Sequence, residues 1–122
     1  MSNSKPKYYL EERTFQFAKK VRLYIKRLPK TIANLEDAKQ VIKSSGSVGA
    51  NYIEANESLS KKDFIMRIKI SRKESKESAY FLRLIYETNP SEFEKEGKEL
   101  QDEATQLTKI FSSILEKSKK SV

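Results

Sequence analysis

Lys62, Lys69, Lys76 and Arg83 stand seven residues apart, with Lys73 between them. Seven residues are two helical turns, so on a helix these side chains share one face. A row of like charges repels itself and does not stabilise the helix that carries it. It would span about 30 Å, long enough to follow a phosphate backbone. Lys19, Arg22 and Lys26 form a second row at helical spacing, with Lys20 and Arg27 beside it. The chemistry on offer is polyanion binding by charge. The competing account is a solvated face neutralised by acidic groups of another helix or subunit. No aromatic-studded RNA-recognition motif, KH loop or zinc knuckle accompanies the rows, so readout of base identity is not indicated.

Residues 44–51, SSGSVGAN, superficially resemble a phosphate-cradling loop. The Gly-Lys-Ser/Thr ending and the GxGxxG spacing are both missing, and no strand precedes the stretch. Close helix packing is the better account of its glycines. Asn51 and Glu54 beside it, with Arg72 and Glu77 on the next helix, are expected to form a hydrogen-bonded polar layer or an assembly contact. Asn51 or Glu54 with Arg72 is the example pairing. Helical bundles can hold paired metals with Glu and Glu-x-x-His, but this chain has no His, and it has no Cys. That excludes disulfides, thiolate chemistry, zinc sites of the usual ligands and imidazole acid–base catalysis. No catalytic residue, metal or cofactor is expected, and the chain does not read as an enzyme.

The 122 residues carry a formal net charge of +8, which favours a polyanionic partner, nucleic acid before anionic membrane. No apolar run approaches the ~20 residues that cross a bilayer, and the N-terminus lacks an apolar signal core. No membrane partner is expected, and the expected compartment is the cytoplasm. Three Gly and three Pro are too few for an all-β protein of many hairpins.

Four amphipathic helices must position these residues. The first is expected from Leu10 or Thr14 to Leu28, with Leu10, Thr14, Phe17, Val21, Tyr24 and Leu28 as its apolar stripe. Pro29 ends it, and Thr31 or Asn34 caps the second. The second helix is expected over 35–56 with Leu35, Ala38, Ile42, Ser45, Gly49 and Tyr52 inward. Gly46 and Gly49 either break it or let a neighbour approach. The unbroken 3–4 spacing favours close approach, by the equally small centre of the third helix. Ser60 caps that third helix, which runs to about Glu87 with Phe64, Ile68, Ser75, Ala79, Leu82 and Ile85 or Tyr86 inward. Ile70, Phe81 and Leu84 lie off that stripe and are the expected subunit interface. Asn89-Pro90 opens the fourth helix, to about Lys117, with Phe93, Gly97, Leu100, Ala104, Leu107, Phe111 and Ile114 inward. Short connections make neighbours antiparallel, so the expected fold is an all-α, up-down-up-down four-helix bundle. It is one domain over 10–118, with a disordered lead at 1–9 and a frayed tail at 119–122.

Lys43, Ser44, Ser45, Ser47, Val48, Asn51 and Glu54, followed by Lys61, Phe64, Ile65, Ile68, Ile70, Ser71, Arg72, Glu74 and Glu77, carry a pattern. It resembles that of the 23S rRNA intervening-sequence proteins, a bacterial family. The likeness covers roughly 15–85 and is most specific over 43–77. It implies a four-helix bundle and assembly into homopentameric rings. A similar fold serves reverse transcriptases of diversity-generating retroelements as an accessory protein that binds nucleic acid and the polymerase. No catalytic residue comes with the resemblance. Gly49 stands where the more usual block has proline, which reduces the kink expected there.

Two functions of different class follow. One is a non-enzymatic homo-oligomer that binds RNA or DNA through Lys62, Lys69, Lys73, Lys76, Arg83, Lys19, Arg22 and Lys26. The other is an adaptor or assembly module that docks a polymerase or another protein.

Overall fold

The computed structural model describes residues 5–120. Residues 1–4 of the expected lead and 121–122 of the expected tail lie outside the described residues. Four helices follow in order: α1, Lys5–Lys26; α2, Ile32–Asn56; α3, Lys61–Glu87; and α4, Glu94–Lys120, preceded by a 3-10 turn, Ser91–Phe93. No strand occurs among the described residues. α1 begins at Lys5, earlier than the stripe alone indicated.

Local chemistry sets the boundaries. α1 stops at Lys26, where Arg27 and Leu28 donate their N–H groups to Tyr24 and Ile25 three residues back, tightening the chain ahead of Pro29. Thr31 Oγ1 accepts from the Asn34 N–H at 3.1 Å and caps α2; Ser60 Oγ caps α3 through the Asp63 N–H at 3.1 Å. Pro90 opens the 3-10 turn instead of standing at the first position of α4. Asn89 does not cap α4. Its Nδ2 closes the end of α3 on the Ile85 carbonyl at 2.8 Å.

Side-chain bonds report the topology. Asn34 at the start of α2 and Asn89 after α3 exchange amide hydrogen bonds of 2.7 and 2.9 Å. Tyr24 near the end of α1 donates to the Phe93 carbonyl beside the start of α4 at 2.8 Å. At the other end Asn56, closing α2, donates to Glu11 in the first half of α1 at 3.0 Å. The helices therefore run up, down, up and down. α2 packs on α1 and α3, α3 on α4, and α4 less closely on α1.

The α1 stripe is buried as read, as is the α4 stripe up to Phe111; in the last turn Leu115 takes the inward place and Ile114 is half-buried. α2 is rotated from the reading. Val41, Ser44, Ser45, Val48, Tyr52 and Ala55 are inward, while Leu35 is exposed and Ile42 and Gly49 are half-buried. α2 is covered by two neighbours, and the 35-38-42-49 line follows one flank. Ser44 Oγ and Ser78 Oγ meet at 2.7 Å, and Ser71 Oγ donates to the Val48 carbonyl at 2.9 Å, so serines bring α2 and α3 together. Gly46 and Gly49 face α1, not α3: a Cβ on either would meet Arg22 or Thr14.

Candidate nucleic-acid interface

The turn spacing of α3 sets Lys69, Lys73 and Lys76 on its outer face. There they line a groove of about 350 Å³ with Arg72, closed on the α4 side by Thr108 and Ser112. The three lysines are exposed and Arg72 is half-buried. No carboxylate lines the groove. Lys73 Nζ has one weak neighbour, Glu74, at 3.9 Å, and among the described residues Lys69, Arg72 and Lys76 make no ion pair. Thr108 donates to the Ala104 carbonyl at 2.9 Å. Its oxygen can accept a further hydrogen bond. Among the described residues Glu74, at 3.9 Å from Lys73, is the one carboxylate paired with these four cations; their mutual repulsion is otherwise uncompensated, and a bound anion would relieve it.

Lys62 and Arg83 lie beyond the groove along α3. Both are exposed, and Arg83 is tied to Glu87 at 2.8 Å. The α1 row is on the opposite side of the bundle, because α1–α2 and α3–α4 form opposite walls. The structure therefore does not join the two rows into one surface on a protomer. Arg22 has a structural task. Its guanidinium donates to the Ala18 carbonyl at 3.0 Å and across to the Ile42 carbonyl at 3.2 Å, in the space left by Gly46. Lys19, Arg22 and Lys26 line a groove of about 580 Å³ together with the exposed Phe15, Leu23 and Ile53.

The expected polar layer has a different partner. Asn51 donates to the Ser47 carbonyl and hydroxyl at 3.0 and 2.9 Å and accepts from Arg67, not Arg72, at 3.1 Å. Arg67 sits one helical turn before Ser71, on the α2 side of α3, whereas Arg72 points to α4. Glu54 is exposed and Glu77 half-buried. Burial, and then the charge of Glu77, push the Glu74 carboxyl above its ordinary range. Arg67, Thr108 and Ser112 were missed as site neighbours because which helix covers a residue is not written in its own helix.

Residues 8–113 match the family described as 23S rRNA-intervening sequence protein. The chain belongs to that family. Similar in structure is a crystal structure at 1.70 Å of a protein with unknown function from the S23 ribosomal protein family, from Bacteroides thetaiotaomicron VPI-5482. It is 28% identical, the likeness covers 86% of this chain and 96% of that one, and the TM-score is 0.71. No curated protein matches the chain. The match to the 23S rRNA-intervening sequence proteins extends beyond the expected 15–85 at both ends and takes in most of α4.

Of the residues expected at a subunit interface, Ile70 and Phe81 are half-buried, with Phe81 packed on the core, and Leu84 is exposed. No helix is long and apolar enough to cross a membrane among the described residues.

Proposed function

We propose that this 23S rRNA-intervening sequence protein is a non-enzymatic, cytoplasmic homo-oligomer that binds nucleic acid, RNA first, through the α3–α4 groove. One observation carries it: Lys69, Arg72, Lys73 and Lys76 converge on a groove that no carboxylate lines. Lys62 and Arg83 extend the positive strip along α3. Repetition of the groove in a closed ring, such as the pentamer implied by the family resemblance, would multiply the phosphates engaged. The test is an anisotropy titration of a labelled RNA stem–loop across a salt series. With four phosphate contacts the log–log slope should be about −3 to −4. Lys69→Glu/Lys73→Glu/Lys76→Glu should abolish binding with the helical melting curve unchanged. Absence of binding at low salt would sink the proposal.

A second reading, an adaptor for a polymerase or another protein, is favoured by the groove between α1 and α2. Phe15, Leu23 and Ile53 stay exposed there in a protein of one small core. Retention of every protein partner by Phe15→Glu/Ile53→Glu would count against it.

A further inference from the structure

Tyr80 stands one turn after Lys76, seven residues after Lys73 and three before Arg83. On α3 those intervals place it on the lysine face. Its side chain is 62% exposed, and its hydroxyl has no hydrogen-bond partner among the described residues. The ring is not adrift. It makes an edge-type contact with Phe81, with centroids 5.2 Å apart and planes at 84°, and Phe81 is anchored on the core. An aromatic ring held by a half-buried neighbour that packs on the core, and flanked by cations, is the pairing that single-stranded nucleic acid uses. Cations track the phosphates while the ring stacks an unpaired base.

We propose that Tyr80 is a base-stacking platform, and that the ligand of this face is therefore an unpaired strand or loop, not a continuous duplex. The inference rests on the nucleic-acid reading and sharpens its substrate class. One helical turn, about 5.4 Å, separates Lys76 from Tyr80. A strand whose phosphate rests on Lys76 can lay an adjoining base on the ring. A duplex keeps its bases stacked on each other and offers the ring nothing. A subunit contact is the weaker account of Tyr80, because lysine is depleted from interface cores. A second copy presenting the same face would also set lysines against lysines.

The experiment compares anisotropy of a labelled oligouridylate with that of a blunt RNA duplex of equal phosphate number, at low salt. The proteins are wild type, Tyr80→Ala, Tyr80→Phe and the triple lysine-to-glutamate variant. Tyr80→Ala should lose about tenfold or more on the oligouridylate, Tyr80→Phe should keep wild-type affinity, and neither should change on the duplex. Equal affinity of Tyr80→Ala and wild type for the single strand overturns the stacking role. So does an equal loss on both ligands, or a change of solution mass in Tyr80→Ala. If the triple variant loses binding while Tyr80→Ala does not, stacking alone fails. If wild type binds neither ligand, the nucleic-acid reading fails with it.

Discussion

Gly49 and Thr14 meet where α1 crosses α2: a Cβ on Gly49 would lie 2.7 Å from Thr14 Oγ1 and 3.1 Å from Thr14 Cβ. Thr14 is fully buried, and its hydroxyl donates to the Leu10 carbonyl at 2.8 Å, so it has no room to swing away. The absent methyl is what lets the two helices approach.

Gly49→Ala should therefore destabilise the bundle. Overpacking costs about 1–3 kcal/mol, against a helix-propensity gain of about 1 kcal/mol. Gly46→Ala should be milder. Its nearest atom is Arg22 Nη2 at 3.1 Å, the far end of an exposed, flexible side chain. We expect Gly46→Ala to be close to neutral, its helix-propensity gain of up to about 1 kcal/mol offset in part where the methyl presses on the Arg22 bond to the Ile42 carbonyl. Urea unfolding of the two variants checks the pair, and equal effects would refute the asymmetry.

The Ser44–Ser78 hydrogen bond is buried on both sides. Ser44→Ala leaves the Ser78 hydroxyl without its partner and should cost about 1 kcal/mol, while Ser78→Ala should cost less, because Ser44 keeps its 3.4 Å bond to the Val41 carbonyl. Removing both should cost less than the sum of the two. A double-mutant cycle measured by denaturant unfolding tests this, and strict additivity would mean that the hydroxyls are uncoupled.

Tyr24 sets an alkaline limit. Burial first, and Glu96 second, push its phenol from 10.0 up to about 12. The unfolded chain then gives up this proton first. The stability Tyr24 contributes is complete below pH 10 and is lost as pH rises from 10 to about 12. Tyr24→Phe should lose about 1 kcal/mol at neutral pH with the bond to the Phe93 carbonyl, and should unfold with a shallower dependence on alkaline pH. An unchanged alkaline slope would remove Tyr24 from that transition.

Much of the architecture was legible in periodicity. The stripe from Leu10 to Leu28 and the run from Phe93 to Phe111 both name core residues. Ser60 was readable as a cap and Thr31 as one of two candidates with Asn34, because a capping side-chain oxygen and the N–H it accepts from are three residues apart; the structure chose Thr31. The lysine face of α3 was readable too, since residues seven apart share a face whatever surrounds them.

The sequence by itself determined which residues share a face, because helical spacing is a property of one segment. Only the tertiary structure decided which neighbour each face meets. It turned Gly46 and Gly49 to α1 and left the serines for α3. It gave Asn51 to Arg67 and moved Arg72 into the lysine groove. It set the α1 row on the wall opposite that groove and made Arg22 a strap between helices. The physical reason is that a helix with two neighbours has two covered flanks. The choice between them is made by contacts tens of residues away in the chain.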